Sequence, residues 1–183
     1  PADPLFRSSY LLAAMTAMQA SAVDITDPNL IWDGKKIEDF KVYKDTKTIY
    51  IYTPGQFIAL HDKWENYKSG DRGYSGWTIY LMNDIDLNNQ NIQPLTIGWY
   101  DGHRFGGNFD GQGHTIQNIY IGGKEDDRAL FGWIDNGRIE NLRLENVTIE
   151  AGDGGNEHVG ALCGRMEYHS TISHCAVVNC TVK

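Results

Sequence analysis

The sequence predicts an all-β protein made of stacked turns of chain, and three observations support this class. Glycine is frequent, with 20 of 183 residues, whereas proline is rare, with 5. Residues 105–121 read as a Gly-rich corner followed by a strand, and related units recur at 129–149 and 161–182. A repeat of about 20 to 45 residues cannot bury its own apolar side, so successive units must stack and share one core.

The corner and the strand at 105–121 follow from local chemistry. Asp110-Gly-Gln-Gly113 is rich in residues that tolerate left-handed backbone angles, so a sharp corner costs little there. Ile116, Ile119 and Ile121 are separated by polar residues, which is the pattern of a half-buried strand with one irregular step.

Residues 1–75 are expected to form an N-terminal cap region. Within it, residues 7–22 have the order of a secretion signal, with a basic residue, an apolar run and Ala20-Ser-Ala22. They also fit an amphipathic helix capped by Ser8 or Ser9, which is the interpretation we favour.

The same region contains a strand followed by a helix. Residues 48–53 are β-branched or aromatic and predict a strand. Thr53-Pro-Gly-Gln56 is a capping box with proline at the first helical position, so a helix is expected over 54–66, with Phe57, Leu60 and Trp64 on one face.

Residues 76–183 are expected to form the stacked turns as one continuous unit. The segment 77–87 alternates apolar and polar residues and predicts a strand, a corner and a second strand. A turn at 88–91 and a return over 92–97 then lead to an exposed aromatic loop over 98–104.

Aligning the repeated units assigns equivalent positions. With one insertion in a turn, 129–149 lies over 161–182. Two sets of equivalent residues follow: Ile116, Ile139 and Ile172, at separations of 23 and 33 residues, and the pairs Asn118 with Asn141 and Asn146 with Asn179. Equivalent asparagines one turn apart can form a ladder of side-chain amides.

The three cysteines fall on apolar positions of this alignment. Cys163 lies where Phe131 lies, Cys175 where Leu142 and Ile119 lie, and Cys180 where Val147 lies. We interpret all three as small core residues, with a Cys175–Cys180 bridge or a redox role as the alternative.

Four motifs carry a family resemblance: Asn83-Asp-Ile-Asp-Leu87, Phe109-Asp-Gly-Gln-Gly-His-Thr-Ile116, Leu130-Phe-Gly132 and Val159-Gly-Ala-Leu-Cys-Gly164. Over about Tyr50 to Lys183 the chain resembles the GLUG-repeat surface proteins of bacteria. The resemblance implies a right-handed parallel β-helix, and the helix over 54–66 is expected to cap its N-terminal end. It also implies an adhesin-like, non-catalytic protein that is secreted or held at the cell surface.

Charge and composition exclude several function classes. The net charge is −8 and no cluster of Lys and Arg stands out, which argues against a nucleic-acid partner. No apolar run is long enough to cross a bilayer, so membrane insertion is not expected. His61-Asp-Lys-Trp-Glu65 lacks the second histidine of a zinc-binding helix, and we expect neither a metal nor a cofactor.

Four carboxylates are the candidates for a polysaccharide-cleaving site, namely Asp84, Asp86, Asp101 and Asp110. Enzymes of this architecture use carboxylates that converge on one face. We favour the alternative that Asp84 and Asp110 bind the backbone of the corners that they occupy, and we assign no catalytic residue.

The loop at 99–104 is the candidate binding site. Trp99, Tyr100, Asp101, His103 and Arg104 combine aromatic rings with hydrogen-bonding groups, which suits the face of a sugar. The structural alternative is that the tryptophan covers an open end of the core.

We therefore expect a non-catalytic module that displays loops for adhesion to a glycan or to a host surface protein. Part of a polysaccharide-degrading enzyme and a purely structural spacer are the alternatives. The sequence stops at Thr181-Val-Lys183 without a recognisable cap, from which we expect either a fragment of a longer solenoid or self-association through that edge.

Overall fold

The structure, a computed structural model, describes residues 25–62, 72–90, 96–98, 104–123, 127–150 and 158–183. This part of the chain begins with a 3₁₀ turn, Pro28–Leu30, and contains one α-helix and fourteen strands. In chain order these elements are β1 (Val42–Tyr43), β2 (Thr48–Ile51), α1 (Pro54–Asp62), β3 (Thr78–Leu81), β4 (Ile85–Asp86), β5 (Asn108–Asp110), β6 (Thr115–Ile121), β7 (Asp127–Arg128), β8 (Phe131–Asp135), β9 (Arg138–Glu140), β10 (Arg143–Ile149), β11 (His158–Val159), β12 (Cys163–Glu167), β13 (Thr171–Ser173) and β14 (Ala176–Val182).

Strands from successive turns pair side by side. The six-stranded sheet has the order β1-β2-β3-β5-β9-β13, the four-stranded sheet has the order β4-β6-β10-β14, and β7 with β11 and β8 with β12 form two short ladders. All these pairs are parallel except β1 with β2, which is antiparallel. The predicted all-β solenoid is therefore confirmed, with about three turns.

The interior is filled by apolar side chains that stack on their equivalents in the next turn. Leu144 is the register partner of Ile116, and Val147 is the partner of Ile119. All four are at most 1% exposed. Residues three apart both face inward because the asparagine between them has a positive φ, which turns the chain within the strand.

The predicted asparagine ladder exists, but with a different membership. Asn146 Nδ2 donates to Asn118 Oδ1 (3.1 Å), and Asn179 Nδ2 donates to Asn146 Oδ1 (3.2 Å). The pairing of Asn118 with Asn141 was wrong, because Asn141 lies at the corner between β9 and β10 and donates to Asp110 instead (3.0 Å). The ladder consequently joins three successive turns at one corner.

The predicted equivalence of the isoleucines needs the same correction. Ile139 pairs with Ile172, as predicted, but the residue before them in this row is Phe109. Ile116 lies in the other sheet, opposite Leu144. The separation of 23 residues was therefore wrong, whereas that of 33 residues is confirmed.

The cysteines occupy the predicted register positions, although Cys175 matches Leu142 and not Ile119. Cys163 pairs with Phe131 and Cys180 with Val147. Cys163 and Cys175 are partly buried, and burial raises the pKa of Cys163 to about 12 and also raises the pKa of Cys175. Cys180 is exposed, since no described strand covers β14 on its outer side, so its assignment to the core was wrong.

The helix begins where the capping box predicts. Gln56 N donates to Thr53 Oγ1 (3.2 Å), and the Gln56 side chain accepts from Tyr52 N (2.8 Å). Phe57 is buried and meets Phe109 edge to face. The described helix ends at Asp62, and residues 63–66 of the predicted span, like the segment 7–22, lie outside the described residues.

Candidate functional site

The predicted binding loop is described only at its C-terminal end. Trp99, Tyr100, Asp101 and His103 lie outside the described residues. Arg104 is described, and its side chain is 26% exposed. The described part of the candidate site therefore consists of Arg104 and the residues that contact it.

Arg104 is held by the buried carboxylate of Asp135, which lies at the end of β8. Its Nη1 donates to Asp135 Oδ2 at 2.8 Å, and the Asp135 side chain is completely buried. Arg72 Nε lies 3.0 Å from Asp135 Oδ1, close enough for an ion pair although it is not aligned as a hydrogen bond. Because hydrogen bonds to charged groups are stronger than neutral ones, this carboxylate orders the Arg104 guanidinium, and Arg72 adds an ion pair to the same carboxylate.

A tryptophan lies between arginines of two turns. The guanidinium carbon of Arg104 is 4.1 Å from the ring centroid of Trp133, and that of Arg165 is 3.9 Å from it. Trp133 is 5% exposed, and its indole Nε1 has no hydrogen-bond acceptor within the described part of the chain. Stacked guanidinium groups are stabilised by the electron-rich ring face.

Parallel register explains why these residues meet. Gly73, Phe105 and Ile134 are bridge partners in adjacent turns, so the residues just before them, Arg72, Arg104 and Trp133, share one outward row. Gly106 leaves the space for the ion pair, since a Cβ there would lie 2.7 Å from the Cβ of Arg72. We call Arg72, Arg104, Trp133, Asp135, Arg165 and Glu167 the Asp135 cluster.

The Asp135 cluster carries three guanidinium groups and two carboxylates. Arg165 contacts Glu167, and Arg104 Nη1 lies 4.0 Å from the same carboxylate. On a protein of net charge −8 this is a local excess of positive charge. Guanidinium groups recognise carboxylate, sulfate and hydroxyl groups through planar pairs of donors.

Asp84 contacts the corner between β5 and β6. Its Oδ1 accepts from Thr115 N (2.7 Å) and lies 3.3 Å from His114 Nδ1. Burial acts to raise the pKa of Asp84, but the hydrogen bonds from His114 and Thr115 and the charge of His114 outweigh it, so the pKa is lowered. Asp84 thus binds the backbone of a corner, as predicted, but this is the corner at His114 and Thr115 and not the one that Asp84 itself occupies.

The other described carboxylates also stabilise corners. Asp86 is buried and accepts from Asn88 N (2.6 Å), Gln117 Nε2 (3.0 Å) and Asn118 Nδ2 (2.8 Å). Asp110 accepts from Gln112 N (2.9 Å) and from Asn141. Asp101 lies outside the described residues. The three described candidates, Asp84, Asp86 and Asp110, thus accept hydrogen bonds from backbone and side-chain donors of their own and neighbouring turns.

Metal binding finds no support in the described residues, where no group of three or more His, Cys, Asp and Glu side chains could hold an ion. Two histidines of the described part of the chain form ion pairs with a carboxylate: His114, beside Asp84, and His158, whose Nδ1 lies 2.8 Å from Asp127 Oδ1. Among the helices of this part of the chain, none is long and apolar enough to cross a membrane.

The Asp135 cluster, apart from Arg104, was not identified from the sequence. The sequence contains part of this signal, because Arg104 follows Arg72 at about one repeat length and Arg165 follows Arg104 at about two. The shared row becomes evident only when the strand register is known.

Comparison with known proteins adds one similarity. The chain is 29% identical over 106 residues to halomucin of Haloquadratum walsbyi, a match that covers 45% of this chain and 1% of halomucin. The chain thus spans about 1% of the length of this curated relative. No family model matches the chain and no solved structure matches it, so the resemblance to GLUG-repeat proteins stays a prediction.

Proposed function

We propose that this chain is a non-catalytic module of a secreted or cell-surface protein, which binds a glycan through the segment 99–104. The observation that carries the proposal is the anchoring of Arg104 on the buried carboxylate of Asp135, beside the arginine-flanked ring of Trp133. Because Arg104 is already held in place at one end of the segment, less conformational entropy is lost on binding than for a segment without such an anchor.

Two further observations fit this proposal. The similarity to a segment of halomucin and the solenoid fold fit a surface module. The described candidate carboxylates, Asp84, Asp86 and Asp110, accept hydrogen bonds from corners of the fold, which favours a structural role for them over polysaccharide cleavage. In the proposed architecture the solenoid is a right-handed parallel β-helix, and the N-terminal region with α1 forms its cap.

The ligand class follows from the chemistry of the cluster. Sugar rings stack on aromatic side chains, and Trp99 and Tyr100 supply such rings beside Arg104 in the sequence. The excess of guanidinium groups favours sugars that carry carboxylate or sulfate groups. A host surface protein that displays such groups is bound in the same way.

A glycan-array screen of the purified chain, containing neutral and acidic sugars, tests the proposal. We expect binding to acidic glycans that is lost when Trp99→Ala and Tyr100→Ala are combined. The matched control combines Tyr43→Ala and Tyr52→Ala, which removes two tyrosines that are 41% and 48% exposed elsewhere on the surface. If the wild-type chain binds no glycan on the array, the result would favour a structural spacer. If both double variants lose glycan binding equally, the result would exclude a site at 99–104.

A further inference from the structure

The two carboxylates of the Asp135 cluster differ in burial. Asp135 is completely buried and binds Arg104, with Arg72 beside its second oxygen. The Glu167 side chain is 27% exposed, and it contacts guanidinium groups of two different turns. It accepts from Arg165 of its own strand, and its Oε2 lies 4.0 Å from Arg104 Nη1. Glu167 is therefore the carboxylate of the cluster that is accessible to a ligand.

Glu167 lies where two guanidinium groups can hold an acid group. Arg104 and Arg165 stack on Trp133, with their guanidinium carbons 4.1 and 3.9 Å from the ring centroid. The stacking restricts the planes of both guanidinium groups. Guanidinium groups held in this way pair with carboxylate and sulfate oxygens through planar sets of donors. The position of Glu167 between them indicates which kind of group this place accepts.

The charge of the cluster depends on Glu167. Three guanidinium groups face two carboxylates, which leaves an excess of one positive charge. Asp135 serves Arg72 and Arg104, whereas the carboxylate that pairs with Arg165 in the described part of the chain is that of Glu167. An ion pair at a partly exposed position contributes little to stability, so another acid group can replace it at low cost.

We propose that Glu167 occupies the subsite for the acid group of the ligand and thereby limits the affinity of the chain for acidic glycans. This inference rests on the proposed function and places the acid group between Arg104 and Arg165, beside Trp133. On binding, the carboxylate or sulfate of the ligand replaces Glu167 at Arg165, while Asp135 keeps Arg104 in place. A neutral sugar leaves the pair of Arg165 and Glu167 intact.

Titration with inorganic sulfate tests the subsite without any sugar. Sodium sulfate replaces sodium chloride at constant ionic strength, and the indole N–H signal of Trp133 in the ¹⁵N-labelled chain reports binding. We expect Glu167→Gln to bind sulfate about fivefold more tightly than the wild type, since this is the factor that a partly exposed ion pair contributes. Adding Arg165→Gln to Glu167→Gln should remove the gain, because the anion then loses its partner.

The matched control is Glu140→Gln. Arg138 and Glu140 form a pair of the same spacing on a strand of the six-stranded sheet, where the Glu140 side chain is 23% exposed. Glu140→Gln and Glu167→Gln change the net charge equally, so the long-range attraction of anions is the same in both variants. We expect Glu140→Gln to bind sulfate as the wild type does. Circular dichroism of each variant checks that the fold is kept.

Two results of the titration would overturn the proposal. Equal affinity of the wild type and Glu167→Gln for sulfate would show that Glu167 does not occupy the subsite. An equal gain in Glu140→Gln would show that net charge alone sets the affinity.

The glycan array separates this proposal from the proposed function. Tighter binding of acidic glycans by Glu167→Gln, with neutral glycans unchanged, would support both. Equal binding of acidic glycans by the wild type and Glu167→Gln would overturn the role of Glu167 and leave the proposed function standing. If neither chain binds a glycan, the proposed function fails and the limit on glycan affinity fails with it, whereas the sulfate titration still decides whether Glu167 occupies an anion subsite.

Discussion

Truncating two inward-facing valines of adjacent turns tests the stacking of the solenoid. Val147 in β10 is 1% exposed, because the turns on both sides cover it, whereas Val177 in β14 is 41% exposed. Both substitutions, Val147→Ala and Val177→Ala, remove the same atoms. Any difference in the free energy of unfolding therefore reports the packing at each position.

The expected cost is larger for the buried valine. Removing two methyl groups costs about 0.8 kcal/mol each in lost burial, and the cavity left in a packed core adds to this, so Val147→Ala should lower the free energy of unfolding by about 2 to 3 kcal/mol. Val177 buries little more than half of its side chain in the single chain, and Val177→Ala should cost less than about 1 kcal/mol.

Urea unfolding, followed by circular dichroism, measures both values. The m-value should stay constant, since neither substitution changes the surface exposed on unfolding. Equal costs, or a larger cost for Val177→Ala, would contradict the assigned register of β10 and β14.

Three further predictions concern other parts of the fold. Cys180 should react with a thiol reagent at pH 8 much faster than Cys163, whose pKa of about 12 and burial keep it a protonated thiol; equal rates in single-cysteine variants would refute this. Asp84→Asn should destabilise the protein at pH 7 by about 1 kcal/mol, because the lowered pKa of Asp84 makes its contribution complete above its usual pKa of 3.8. The difference in the free energy of unfolding between wild type and variant should vanish as the pH falls through the lowered pKa of Asp84. A difference that persists at that pH would show that the stabilisation does not come from the charge of Asp84. Asn146→Ala should cost about 1 to 2 kcal/mol more than Asn146→Gly in thermal or urea unfolding, since glycine keeps the left-handed backbone without strain; a reversed order would be inconsistent with the positive φ.

Much of the fold could be predicted from the sequence because its signals are local. The strand predicted at 48–53, the capping box at Thr53 and the strand-corner-strand at 77–87 depend on neighbouring residues, and the structure has all three, with the first strand ending at Ile51. The need for stacking followed from the size of the repeated unit. These features do not require knowledge of which residues meet across turns.

Register was harder to predict because one short motif occurs twice within residues 139–147. Ile116-Gln-Asn-Ile119 resembles both Ile139-Glu-Asn-Leu142 and Leu144-Glu-Asn-Val147. The sequence comparison chose the first match, whereas the structure pairs the second. Asn141 and Asn146 both have a positive φ, so each marks a corner, and spacing alone does not distinguish the two corners.

The candidate site depended on that same register. Arg104 could be selected for its place beside aromatic residues, but the buried partner Asp135 lies 31 residues further along the chain. Asp135 lies on a row whose side chains point out of the solenoid, yet its side chain is fully buried. The alternation of residues along its own strand does not predict this burial. The covering side chains come from two other turns, where Arg72 and Arg104 lie.

Chemical-shift mapping of the ¹⁵N-labelled chain with an acidic glycan selected on the array tests the central claim most directly. The indole N–H of Trp133, which has no acceptor in the described residues, gives a separate signal within the Asp135 cluster. We predict that the shifts concentrate at residues 99–106 and at this indole, and that they saturate together. Shifts confined to other surfaces, such as the row of Tyr50 and Tyr80, would contradict a binding site at this loop.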